Sequence, residues 1–358
     1  MKFFLRDSDF DGTLIGHWVG SDSLDHETYN TANFELQSGG VLPVATLAYK
    51  THGALSPAKD NVIVYPSRYA GTHADQTYLI APGMALDPEK YFIICLNMMG
   101  SGLSSSPSNT PAPFDGPRFP KVTQYDNVRL QAKMLREVFG IEEIALAVGW
   151  SMGGQQAFQW ASLFPDQVAA MSCMCGQGTT APHTYAFLEG VKQGIINDPA
   201  WNGGDYDEQP WAGLRAKGRI WCSWALTQDW YRARKWAEMG YETVADYIAG
   251  EWDKIYYHRD ANDMLSLIAT WQACDLGNNP VYDGDTEAAY KAIKAKSILL
   301  PGSTDMYFPT ADNEAEAALM PHAEVREIKS IWAHYAAGGK APEDTAFVDA
   351  ALKDLLAA

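Results

Sequence analysis

The sequence predicts an α/β protein with a mostly parallel central sheet and a helical cap inserted between two of its strands. Three observations predict it. Short apolar runs of strand length alternate with segments of helical periodicity before residue 176, and strand signals return after residue 294. From 177 to 293 the pattern is helical, with no clear strand, and rich in tryptophan and tyrosine. Finally, Gly149-Trp150-Ser151-Met152-Gly153 joins an apolar run, Ile144 to Val148, to a helix-like stretch, Gln155 to Leu163. A strand, a glycine-flanked serine and a helix make a tight turn that lifts the hydroxyl above the sheet edge. The chain is therefore divided into a core's first part (1–176), a cap (177–293) and the core's second part (294–358).

The elements follow in order. Asn33 to Leu36 and Leu42 to Tyr49 flank Gly39-Gly40, which predicts a hairpin. Val62 to Tyr65 and Tyr91 to Leu96 read as buried strands ending in Gly/Ser-rich loops. Val122 to Phe139 reads as a helix, with Thr123 or Asp126 near its start, Gly140 at its end, and Val128, Leu130, Met134, Leu135 and Val138 at helical spacing. The serine strand and helix come next, then a strand from Val168 to Met174, in which Cys173 and Cys175 are expected to share a face. In the cap, Trp201, Trp211, Trp221, Trp224, Trp230 and Trp236 fall within 36 residues. They serve interhelix packing, line a cavity, or do both. Strands are expected again at Ser297 to Leu300 and Glu324 to Ile328, and a last helix at Glu343 to Leu356. Such alternation implies a sheet covered on both faces.

Composition narrows the function. The 358 residues are 47% hydrophobic, enough for a large core with an insertion or for two domains. A net charge of −17, from 27 basic against 44 acidic residues, argues against nucleic acid or an anionic membrane as partner. The N-terminus lacks the long apolar segment of a signal peptide, and no apolar run approaches a membrane span. Five cysteines without regular spacing fit a reducing, cytoplasmic setting and speak against a metal site.

Ser151 is the candidate nucleophile. A serine hydroxyl needs a base to take its proton, and the backbone N–H of Met152, at the start of the following helix, points toward a developing oxyanion. A second oxyanion donor is expected from the loop after Val62 to Tyr65, at the Tyr69 N–H or, failing that, at Arg68. Asp305 stands just beyond the strand ending at Leu300, where open parallel sheets carry function. Asp312, deeper in the next helical segment, is the alternative acid. His334 follows the last strand. His322, in the turn before that strand, is expected to be far from Ser151. The chain order serine, acid, histidine is that of hydrolases built on a serine elbow, and differs from the orders in chymotrypsin and subtilisin.

Several further stretches agree in order with one family. They are Gly116 to Pro120 with Val122-Thr123 and Asp126; Leu96-Asn97 with Gly100 to Asn109; Asp198 to Tyr206; Arg259 to Leu265 with Asp275 to Gly277; and Asp305 with Tyr307 to Pro309 and His334. From about residue 33 onward the chain resembles the homoserine O-acetyltransferase family of the α/β-hydrolase superfamily. The resemblance implies a ping-pong acyl-serine mechanism, with acetyl-CoA or succinyl-CoA as co-substrate in the transferases, plain ester hydrolysis in some relatives, and a homodimer formed through the cap. In the homoserine enzymes an aspartate follows the catalytic histidine and a cap arginine binds the substrate carboxylate. Tyr335 and Gly218 stand at those positions here, with Lys217 and Arg219 on either side of Gly218.

Both charged anchors for an amino-acid substrate are thus altered. Trp150, Trp332 and Tyr335, with Arg68 and Arg219 as basic contacts, are the expected substrate-binding residues; the alternative for Trp150 is packing behind the serine turn. The function expected is hydrolysis of short acyl esters, such as acetyl esters, of small alcohols. An O-acetyltransferase using acetyl-CoA or another acyl-CoA is the alternative. No metal or redox cofactor is expected.

Overall fold

The computed structural model describes residues 25–357. Eight strands form one sheet in the order β1-β2-β4-β3-β5-β6-β7-β8. The hairpin strands β1 (Glu27–Glu35) and β2 (Val41–His52) pair antiparallel, and β2 pairs antiparallel with β4 (Phe92–Leu96). All other pairings, through β3 (Val62–Pro66), β5 (Leu146–Trp150), β6 (Ala170–Met174), β7 (Lys296–Leu300) and β8 (Ala323–Val325), are parallel. Every residue of β3 to β6 is buried. That explains why these segments read as unbroken apolar runs, the signature of strands covered on both faces.

Helices α1 (Gln124–Met134) and α2 (Met152–Leu163) cover one face. α1 starts at a reciprocal cap in which Thr123 and Asp126 each bond the other's backbone N–H. The helix expected over 122–139 divides, since α1 widens into a π-type turn at Leu135–Phe139, closed by Gly140 at φ 63°. On the opposite face, Leu79, Leu86 and the last helix pack against the inward residues of β3, β4 and β5. The expected strand at 324–328 is shorter than its sequence suggests, for beyond Val325 only Ile328 bridges to Gly302. Cys173 and Cys175 do not share a face. The strand ends at Met174, and Cys175, at φ 42°, belongs to the apolar cluster on the other side of the sheet.

The segment between β6 and β7 is helical. It comprises α3 (Pro182–Ile196), α4 (Trp211–Ala225), the short α5 (Gln228–Arg232), α6 (Lys235–Glu238) and α7 (Val244–Tyr247), then α8 (Ala261–Gln272) and α9 (Thr286–Lys291). Two helices follow in the core, α10 (Thr310–Ala317) and α11 (Pro342–Ala357). The insert's aromatic core includes the fully buried Trp230, Trp252 and Trp271. It is continuous with Tyr69, Met98, Met152 and Tyr307, which stand just past the ends of β3, β4, β5 and β7. The insert therefore roofs the carboxyl ends of the parallel strands. Among the described residues, no helix is long and apolar enough to cross a membrane.

Candidate active site

Ser151 sits between β5 and α2 at φ 58°, ψ −127°, a conformation that non-glycine residues adopt only under constraint. Its glycine neighbours supply the constraint. A Cβ on Gly149 would lie 2.1 Å from the Gly153 carbonyl, and one on Gly153 would lie 2.5 Å from the carbonyl oxygen of Pro66. The turn closes on itself and presses the first turn of α2 against the end of β3. A Cβ on Gly154 would meet Cys173 Sγ at 2.5 Å. Side chains at these positions would force the helix away and release the serine from its turn.

Asp305 lies in the loop after β7. Its Oδ1 accepts the Tyr307 N–H at 2.8 Å, which leaves Oδ2 for His334 Nδ1, also at 2.8 Å. His334 Nε2 is 3.0 Å from Ser151 Oγ. With Nδ1–H donating to the carboxylate, Nε2 is free to accept the serine proton. The imidazole is enclosed by Tyr307, Phe308 and Trp150, with ring centroids at 4.9, 5.7 and 5.4 Å. The other two candidates are elsewhere. Asp312 accepts from Gln177 Nε2 at 2.8 Å. The carbonyl of His322 pairs with Ser297, at the opposite end of β7 from Asp305.

Ser151 and His334 open into a cavity of about 60 Å³. Arg68, Tyr69, Trp150 and Tyr335 line it, as do Trp221, Tyr256 and Trp271 from the insert. Arg68 spans the loop after β3. It donates to its neighbour's carbonyl at Tyr69 (3.0 Å) and to Asp75 (3.1 Å), and its guanidinium lies 5.0 Å from the Trp150 ring centroid. Buried Arg259 donates to the Ala70 carbonyl, so the insert also holds this loop; burial lowers its guanidinium to about 10. Tyr69 stacks on Trp221 at 5.0 Å. Met152 is the first residue of α2, where a backbone N–H has no intrahelical acceptor.

Two expected contacts are not made. Arg219 points to solvent, 56% exposed, and holds Asp253 through two hydrogen bonds of 2.6 and 2.7 Å. It faces away because the buried side of α4 at this point is formed by Lys217 and Gly218. Trp332 turns into the insert, edge-on to Trp230 at 5.7 Å, and does not line the cavity. Trp150 lines the cavity and packs against the His334 loop. Sequence reasoning did not single out Asp75, Ile255, Tyr256, His258 or Trp271, all of which line the cavity. The aromatic density of the insert was the available signal, but which rings turn inward is set by helix packing.

The chain and its fold are shared with known proteins. Residues 61–214 match a family model described as α/β hydrolase fold. The chain is 34% identical over 333 residues to ethyl acetate hydrolase of Pseudomonas veronii, an alignment covering 92% of this chain and 95% of that one. The chain belongs to the α/β-hydrolase superfamily. This hydrolase is also 30% identical over 316 residues to homoserine O-acetyltransferase of Trichormus variabilis, covering 84% of this chain and 86% of the relative. Its structure is similar to that of an acetylester hydrolase from Corynebacterium glutamicum, with a TM-score of 0.90, 35% identity, and coverage of 93% and 96%.

Proposed function

We propose that this α/β-hydrolase is an esterase that cleaves acetyl and other short acyl esters of small alcohols through an acyl-serine intermediate. One observation carries the reading: the chain from Ser151 Oγ through His334 to Asp305 opens into a small cavity walled by aromatic rings with Arg68, Asp75 and His258 among them. Ser151 Oγ attacks the ester carbonyl carbon as its proton passes to His334 Nε2. The N–H groups of Met152 and Tyr69 receive the oxyanion. When the tetrahedral intermediate collapses, the carbonyl–alkoxide bond breaks and His334 protonates the departing alcohol. Water, deprotonated by His334, then attacks the acyl-serine and releases the acid and the free hydroxyl. Asp305 fixes the imidazole tautomer and steadies the imidazolium.

The relatives named for ethyl acetate and acetyl-ester hydrolysis support the substrate class. The positions expected to bind an amino-acid substrate support water as the acceptor. Tyr335 follows the histidine, Gly218 stands at the cap-arginine position, and its neighbour Arg219 is engaged on the surface. Five buried, unpaired cysteines support a cytoplasmic setting. A homodimer through the cap is retained from the family resemblance and is tested by light scattering.

The deciding experiment supplies ethyl acetate and acetyl-CoA, each with and without homoserine, and quantifies acetate and acyl product together. Acetate release from ethyl acetate, unaffected by homoserine and reduced at least ~10³-fold by Ser151→Ala, is expected. Serine-dependent acetylation of homoserine that dominates acetate release would replace this reading with the transferase.

A further inference from the structure

Lys217, on α4, is fully buried, and its Nζ has no hydrogen-bond partner. A buried amine in that condition is costly. Its neighbours are the faces of three rings, with Nζ 2.8 Å from the Tyr256 centroid, 4.7 Å from Trp221 and 4.9 Å from Tyr69. All three rings line the cavity at Ser151, whereas Lys217 does not. The amine therefore stands behind the wall that an acyl group on Ser151 would meet.

The surroundings fix its position. A Cβ on Gly194 of α3 would lie 3.1 Å from the Lys217 backbone nitrogen, and one on Gly218 would lie 2.0 Å from the Trp252 carbonyl oxygen. α4 is thus clamped between two backbones and cannot slide to make room. Burial drives the Lys217 amine well below its usual range, and the charge of Arg259 adds to the effect. The ring faces act in the opposite sense, because their negative π clouds attract whatever positive charge the amine carries. Tyr69 is tied further by its hydroxyl, 3.3 Å from the Met264 carbonyl, and by its stacking on Trp221. Displacing any of the three rings would therefore break contacts to Lys217 and to its neighbours together.

We infer that Lys217 is a specificity-determining residue: its amine pins Tyr69, Trp221 and Tyr256 as the floor of the cavity and so limits the length of the acyl chain. The inference rests on the esterase reading, which places the acyl group in this cavity. It assigns Lys217 no role in proton transfer and no contact with substrate. Its effect falls on the choice between acyl lengths, unlike that of a residue needed only for folding.

The test is the ratio of kcat/KM for ethyl acetate over ethyl butyrate in wild type, Lys217→Met and Lys217→Ala, with thermal melts to establish folding. Methionine keeps most of the volume and removes the amine; alanine removes both. The ratio is expected to fall threefold or more in both variants, and further in K217A. A folded variant that holds the ratio within threefold of wild type overturns the inference, as does a larger fall in K217M than in K217A. Should K217A not fold, K217M alone decides by the same threshold. If wild type shows no Ser151-dependent acetate release, the esterase reading fails by itself. The floor is then tested by binding, from tryptophan quenching by the two esters in Ser151→Ala with and without K217M, under the same threefold criterion.

Discussion

The indole N–H of Trp150 donates to the backbone carbonyl of His334 at 3.1 Å. This bond ties the residue before Ser151 to the loop that carries the imidazole, across 184 positions of sequence. Gly338 completes the fit, since a Cβ there would lie 2.8 Å from the Trp150 ring. The serine turn and the histidine loop are thus registered against each other by a side chain that also walls the cavity.

Trp150→Phe should lose this bond together with the part of the indole that packs on Gly338. A net loss of about 2 kcal/mol in stability is expected, with kcat reduced about 3- to 30-fold because a looser loop lets the Ser151–His334 geometry drift. Steady-state kinetics alongside a chemical denaturation curve checks it. An unchanged kcat would mean that the loop is held without the tryptophan.

Gly153→Ala should be far more damaging than its size suggests. The new Cβ would lie 2.5 Å from the Pro66 carbonyl oxygen, which is backbone and cannot swing aside. A loss of about 3 kcal/mol or more, or failure to fold, is expected. Gly190→Ala is the control. That position is exposed on α3 with nothing within 4 Å of its Cβ, and replacing a helical glycine there should add up to about 1 kcal/mol. Melting both variants tests the claim. Similar behaviour of the two would refute the steric account of the elbow.

Legibility in the sequence followed the range of the interactions. β3 to β7 were readable because burial on both faces leaves a local apolar signature. Ser151, Asp305 and His334 were locatable because each stands just past a strand signal and the topology brings such ends together. Arg219 was misplaced for a geometric reason. One residue along a helix turns a side chain by roughly 100°, and the packing of Gly218 against the Trp252 carbonyl sends Lys217 inward and Arg219 outward. The inward turn of Tyr256 and Trp271 depends on how separate helices of the insert meet, which no local pattern records.

Arg219→Ala should therefore leave kcat/KM for ethyl acetate within about twofold of wild type. Its pair with Asp253 lies outside the cavity, so losing it leaves the site's lining unchanged. A tenfold rise in KM would show instead that the insert rearranges to bring Arg219 onto the substrate.

Glu316 is expected to make stability pH-dependent near neutrality. The side chain is buried, and Oε1 accepts the Gly178 N–H at 2.9 Å and the Tyr290 hydroxyl at 2.6 Å, while Oε2 accepts from Asn313 at 3.2 Å. Gly178 leads into the insert and Tyr290 lies on its last helix, so one carboxyl holds both of the insert's junctions. Burial pushes this group up from 4.5 to about 7, despite the hydrogen bonds that favour its charged form. The folded protein then keeps a proton that the unfolded chain gives up between about pH 4.5 and 7. Stability is expected to fall as pH rises through that window and level off above it, by about 3 kcal/mol in total. Glu316→Gln cannot ionise and should lack this component, so its stability relative to wild type should improve from pH 5 to pH 8 by that amount. Urea denaturation of both proteins at the two pH values measures it. Parallel pH dependence in the two would show that Glu316 stays ionised throughout and that the insert is not held by a titrating group.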